Sequence, residues 1–272
     1  MRRVKITGDR ATSLKNESEK FHYESSLFFL RNHNGLRPKK IHLVTGTPSG
    51  GKSTLRNTII LDFLESNPGE KVFIWLSEES YEDFETDISR NPRLLLMQDR
   101  IITYSEQDEP ASGEFLDMKS HFRESVYKSE CDLFIFDNIT TSRMYDNYKH
   151  QQKFASWLKV TIRRHGCSSV ILAHTSTGSK EDQDSFIDRN DIRGSRDIVN
   201  LAEFQYVMQT FKTKDIQHRM IKIVKHRGTE IKGDMFYLDF DNVTRCYKQT
   251  VPMSFDDLKK ILDKRVSLFK KR

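Results

Sequence analysis

Apolar residues fall into two rhythms along this chain. Between residues 40 and 175, short and nearly continuous apolar runs alternate with longer stretches in which apolar positions recur at helical spacing. The runs KIHLVTG, KVFIWLS, RIITYS, CDLFIFDN and SSVILAHT predict strands. The stretches GKSTLRNTIILDFLES, SYEDFETDISR, GEFLDMKSHFRESVYKSE and YKHQQKFASWLKVTIRRHG predict helices. An Asn-Pro-Gly sequence ends the first of these and Gly166 the last. In the third, Phe115, Met118, Phe122 and Val126 share one face. Strands this apolar, alternating with helices, predict an α/β domain with a parallel sheet covered on both faces. Beyond residue 200, EFQYVMQTFK, QHRMIKIVKHR and DMFYLDFD alternate without long helices and predict antiparallel strands added to one side. Residues 1–20 are polar and patternless. FHYESSLFFLRNHNGLRP predicts a helix and turn leading into the first strand, and SFDDLKKILDKRVSLFKKR an amphipathic helix with a basic end. The expected division is an arm and linker helix over 1–35, one α/β domain over 36–250, and a C-terminal basic helix over 251–272.

Composition narrows the setting. The 272 residues carry 45 basic and 39 acidic side chains, a formal charge of +6, which fits a polyanionic partner without requiring one. Cys131, Cys167 and Cys246 are scattered without a CxxC pair, which argues against a zinc site or a disulfide framework; Cys131 and Cys167 adjoin apolar runs and read as core residues. No stretch approaches the roughly 18 apolar residues of a membrane span, and the N-terminus has no secretory apolar region. A soluble protein of the cytoplasm, without a membrane partner, is expected.

The chemistry begins at Gly46, Thr47, Pro48, Ser49, Gly50, Gly51, Lys52, Ser53 and Thr54, which match G-x-x-x-x-G-K-[ST] in full. A predicted strand precedes the match and a predicted helix follows it, as a phosphate-cradling loop requires. Glycines let backbone N–H groups turn toward phosphate oxygens, aided by the helix N-terminus. Lys52 would reach the β- and γ-phosphates, and the Ser53 hydroxyl would ligate Mg²⁺. A second metal-side carboxylate is expected at a strand's carboxyl end, and Asp137 closes the run LFIFD, where it would hold the Mg²⁺ through water. A base for the attacking water is expected beside the γ-phosphate. WLSEES offers Glu78 as the preferred residue and Glu79 as the alternative. His174, at the end of another strand, is placed to sense the γ-phosphate and relay its presence.

These residues together resemble one family, the RecA-like motor domain of DnaB-type hexameric replicative helicases. GLRP precedes the first strand, GTPSGGKST follows it, and LSEES and LFIFDN resemble the family's acidic and metal-binding motifs. NDIRGSRDI resembles its Arg-Gly-Ser segment, and IVKHRGTEIKGDMFYLDFD its Lys-x-Arg strand and hairpin. The resemblance covers roughly residues 35 to 248, and its last two segments are the specific part. It implies a RecA-like phosphate-loop NTPase fold that uses ATP and Mg²⁺. It also implies that Lys225 and Arg227 project toward the ATP of a neighbouring subunit, with Arg227 as the trans arginine finger. Taken by themselves, Lys225 and Arg227 share a strand face with Ile223. Arg193, Gly194, Ser195 and Arg196 would line a ring's channel and grip single-stranded DNA. Arg143 and Lys149, after Asp137, would form a second channel loop.

The partners implied are single-stranded DNA, further copies of the chain in a hexamer, and replication proteins such as a primase or loader. Movement would run 5′ to 3′. Bacterial members carry an N-terminal collar domain and a Gln where His174 stands. The resemblance is therefore to collarless, phage- or plasmid-like members, and to a host cell carrying such an element. Two rival readings share the ATP site: a RecA-type recombination or annealing ATPase forming filaments on DNA, and an ATP-gated scaffold recruiting replication or transposition factors.

Overall fold

Strand β1 (Ile41–Gly46) is buried along its whole length, which explains why its sequence carries no polar face. In the computed structural model, which describes residues 22–31, 35–108, 115–145, 148–175, 196–213, 216–226, 235–253 and 257, β1 sits mid-way across a sheet. The other strands are β2 (Val72–Leu76), β3 (Ile101–Ser105), β4 (Leu133–Asp137), β5 (Ser168–His174), β6 (Phe204–Thr213), β7 (Ile216–His226), β8 (Met235–Phe240) and β9 (Tyr247–Met253). Their order is β3-β2-β4-β5-β1-β6-β7-β8-β9. Every pairing from β3 to β6 is parallel, and β6 to β9 pair antiparallel. The expected mostly parallel sheet with a C-terminal antiparallel part is therefore present.

Helices cover both faces. On one side lie α1 (Phe28–Arg31), α2 (Lys52–Ser66), α3 (Tyr81–Ser89) and the short α4 (Pro92–Leu95). Phe29, Leu55, Ile59, Phe63, Phe84 and Leu94 there pack on Val44, Ile74, Ile135 and Leu172. On the other side lie α5 (Phe115–Ser129), α6 (Tyr148–His165) and α7 (Arg196–Leu201). Their Phe122, Val126, Phe154, Leu158 and Ile198 pack on Leu43, Trp75, Phe136 and Ile171. Phe122 and Val126 thus use the face that their spacing predicted; the side chains of Phe115 and Met118 lie outside the described residues. Alternate residues of β1, β2, β4 and β5 feed opposite cores, the period-two consequence of a pleated strand. Cys131, Cys167 and Cys246 are buried and free.

Three expectations are corrected. The helix expected over FHYESSLFFLRNHNGLRP shrinks to the four residues of α1. Tyr23 instead bridges Leu36 antiparallel, and Ser25 and Ser26 bond the Asp62 carboxylate on α2, so tertiary hydrogen bonds win over helical periodicity. The boundary placed at residue 250 falls inside β9, which pairs with β8. The regular alternation expected along β7 is broken by a bulge. Gln205 pairs with Lys225 but Tyr206 with Ile223, which leaves Val224 as the extra residue. Ile223 belongs to the α2-side core, whereas Lys225 Nζ donates to the carbonyls of Val199 (3.4 Å) and Ala202 (2.7 Å), residues of the other core. The face shared by Ile223 and Lys225 in a regular strand is therefore lost.

Candidate nucleotide site

Gly46 ends β1 opposite His174 at the end of β5, and Leu76 ends β2 opposite Asp137 at the end of β4. Because β2, β4, β5 and β1 are successive neighbours, four strand ends open side by side. The carboxyl edge of a parallel sheet is where ligands bind in open α/β folds.

The loop from Gly46 to Thr54 lies on this edge. Gly51 has φ 91°, a left-handed conformation, and a Cβ there would stand 2.1 Å from the Tyr247 hydroxyl and 3.1 Å from Arg219 Nε. Only glycine fits. The N-cap residue of α2 is Gly51, which has no side chain to take up the helix's leading N–H groups. Thr47, Gly51 and Thr54 are partly exposed, as are the more open Pro48, Ser49 and Ser53, whereas Gly50 is buried.

Lys52 is buried at the centre of the edge. Its Nζ donates to the carbonyls of Gly46 (3.2 Å) and Thr47 (2.8 Å) and meets His174 Nδ1 at 3.0 Å. The other ring nitrogen, Nε2, lies 3.0 Å from Glu78 Oε1. An ammonium only donates, so Nδ1 accepts and Nε2–H donates to the carboxylate, which fixes one tautomer. Burial lowers the Lys52 pKa to about 8, with Asp137 and Glu78 opposing the shift. The hydrogen bond from His174 holds Glu78 below its usual range, against the upward pull of burial. Lys52, His174 and Glu78 thus form one continuous polar chain across three strand ends. Asn138 Nδ2 also donates to Glu78 Oε1, at 3.1 Å. The Asp137–Asn138 peptide bond is cis.

Glu79 stands differently. Arg56 Nη1 contacts Glu79 Oε2 at 2.5 Å and Asp137 Oδ2 at 2.8 Å, and the Arg56 side chain is fully buried. Burial pushes the Glu79 carboxyl up, and Arg56 opposes that shift. Of the two adjacent acids, Glu78 is the more exposed and faces His174, while Glu79 turns to a buried cation.

Ser53 and Asp137 supply hard oxygen donors suited to Mg²⁺, which binds through one or two protein groups together with phosphates and water. Arg56 meets the Asp137 carboxylate through Oδ2, at 2.8 Å. Among the described residues there is no group of three or more His, Cys, Asp or Glu side chains able to hold a metal by themselves. The donor set therefore fits a metal that arrives with a phosphate ligand.

The loop after Asp137 is anchored. The buried Glu106 carboxylate accepts from Trp75 Nε1 (2.6 Å), Ser142 Oγ (2.6 Å) and the Arg143 N–H (3.1 Å). Met144 and Tyr145 are buried and Arg143 is exposed. Lys149 and Arg196 belong to α6 and α7, but their side chains lie outside the described residues, as do Arg193, Gly194, Ser195 and Arg227 altogether. Lys225, expected to reach a neighbouring subunit, holds the C-terminal end of α7 in its own chain.

Sequence reasoning missed Arg56, Asn138, Arg219 and Tyr247. Asn138 follows Asp137 directly and was legible as a polar strand-end residue. Arg219 and Tyr247 become neighbours of the loop only through tertiary packing, and Arg56, two residues beyond Thr54, meets Asp137 and Glu79 only in that way. The chain matches no known protein-family model and no curated protein. Among the described residues no helix is long and apolar enough to cross a membrane.

Proposed function

We propose that the protein is a RecA-like phosphate-loop ATPase that works as a ring-forming translocase on single-stranded DNA. The observation that carries the ATPase part is the convergence of Lys52, His174, Glu78 and Asp137 on four adjacent strand ends, with Lys52, His174 and Glu78 in hydrogen-bonded sequence. The sheet order and the antiparallel C-terminal strands are consistent with a RecA-like fold. The DNA-motor part is supported by the sequence resemblance in the Arg-Gly-Ser and Lys-x-Arg segments.

In this reading the backbone N–H groups of Thr47 to Thr54 cradle the phosphates and Lys52 leaves its carbonyl acceptors for β- and γ-phosphate oxygens. Ser53 and Asp137 would hold Mg²⁺, which would supply neutralisation of phosphate charge. Glu78 orients the attacking water and accepts its proton. Glu79 is unsuited to that task because its carboxylate faces Arg56. His174 bridges the phosphate-binding lysine and the base, so it registers whether Lys52 has moved. Arg227 completes the site of the next subunit.

The test is ATP hydrolysis with and without single-stranded DNA for wild type, Arg227→Ala and Glu78→Gln, with particle mass by light scattering. A hexamer stimulated by DNA is expected. Arg227→Ala should bind ATP and lose stimulation, and Glu78→Gln should bind ATP but hydrolyse it about 10²–10⁴-fold more slowly. A monomer whose slow hydrolysis ignores DNA and Arg227 would sink the motor and favour the scaffold. One observation keeps the recombinase reading in view: Lys225, expected at the subunit interface, is engaged inside its own chain. Filaments instead of closed rings on DNA would select it.

A further inference from the structure

Arg56 lies one helical turn beyond Lys52 on α2, in a helix otherwise packed into the apolar core. Its side chain is completely buried, and a buried guanidinium is costly unless it is paired and hydrogen-bonded. Four groups surround it, three of them from other elements of the fold. Asp137 Oδ2, at the end of β4, accepts from Nη1 at 2.8 Å, and Glu79, beyond the end of β2, accepts from the same nitrogen at 2.5 Å. Asn57 Oδ1 accepts from Nε at 3.0 Å. The ring of Phe84 on α3 lies 4.9 Å from the guanidinium carbon, at cation–π distance. The guanidinium therefore ties together two strand ends and two helices directly beneath the loop.

We infer that Arg56 is a positioning residue of the nucleotide site: it fixes the Asp137 carboxylate with one oxygen toward the metal and holds Glu79 away from the attacking water. The inference rests on the reading of Gly46–Thr54 as a nucleotide-binding loop. Its chemistry is geometric. A carboxylate held through Oδ2 by a buried planar donor is restrained in its rotation, which limits the directions open to Oδ1. Hydrogen bonds of this kind behind a metal-ligating side chain govern affinity for the metal without touching it. The same nitrogen engages Glu79, which leaves Glu78 as the acid beside His174. A lysine at this position keeps the charge but is a flexible point donor and cannot hold two carboxylates and Asn57 in one plane.

The experiment uses the full chain as wild type, Arg56→Lys and Arg56→Met. Binding of a fluorescent non-hydrolysable ATP analogue is titrated in EDTA and in Mg²⁺, and Mn²⁺ binding to the analogue-loaded protein is followed by electron paramagnetic resonance. Circular dichroism reports the fold. The expected result is a loss of Mn²⁺ affinity of about 10–100-fold in both variants, with a changed Mn²⁺ spectrum and unchanged analogue affinity in EDTA. If Arg56→Met does not fold, Arg56→Lys alone carries the same expectation. Equal weakening with and without metal would reduce Arg56 to a packing strut and overturn the inference while the nucleotide site stands. Loss of the fold in both variants would overturn it likewise. Wild type that binds no analogue in either buffer would overturn the nucleotide site itself, and the inference with it.

Discussion

Lys52 has three acceptors within 3.2 Å, yet burial lowers its pKa to about 8. A phosphate group would demand the charged form and restore it. Below about pH 8 the ammonium is already protonated, so nucleotide binding should take up no proton there. Above about pH 8, binding should take up a proton and affinity should fall as pH rises. Calorimetry in buffers of different ionisation enthalpy measures this uptake, and Lys52→Arg, charged throughout, should abolish it. At this scale the motif made Lys52 and Ser53 legible, because the loop is a local arrangement of successive residues. Arg56 was not legible. A lone arginine in an apolar helix signals nothing until its partners, 23 and 81 positions away, fold around it.

Helix α2 is the element that links the candidate site to the N-terminal segment. Asp62, in its last turns, accepts from Ser25 Oγ at 2.6 Å, from the Ser26 N–H at 2.8 Å and from Ser26 Oγ. Tyr23 stacks edge-on against Phe63 of the same helix. Replacing Asp62 with Ala should leave these donors unmatched and cost about 1–3 kcal/mol. Denaturant unfolding measures the loss. Limited proteolysis should then cut within residues 22–31 before it cuts the sheet, and early cleavage within the sheet would refute the role. Strand and helix identities were readable here because buried parallel strands and amphipathic helices have different apolar periods. The bulge at Val224 was not readable, since β-branched residues fit a regular strand equally well and only the pairing with β6 makes one residue surplus.

Across the whole molecule, the edge of the sheet opposite the candidate site carries its own charge coupling. Asp132, before β4, accepts from the Lys71 N–H at 2.9 Å and from the Tyr23 hydroxyl at 3.4 Å, and it is hydrogen-bonded to Glu70. That hydrogen bond, with burial and the Asp132 charge, pushes Glu70 from 4.5 up to about 7. The folded state then holds a proton that the unfolded chain has released. Stability is fully present below pH 4.5 and is lost as pH rises through about 7. Unfolding in denaturant across that window should show the decline, and Glu70→Gln, which stays neutral, should flatten it. An unchanged slope in that variant would assign the pH dependence elsewhere. The sequence by itself determined the alternating strands and helices, the glycine-rich turn between β1 and α2 and the acids at the strand ends, because each depends on residues close together in the chain. Tertiary structure alone decided that Glu78 meets His174 while Glu79 meets Arg56, and that Lys225 turns to α7. Those choices depend on which distant side chains share a buried space, and local pattern carries no record of that.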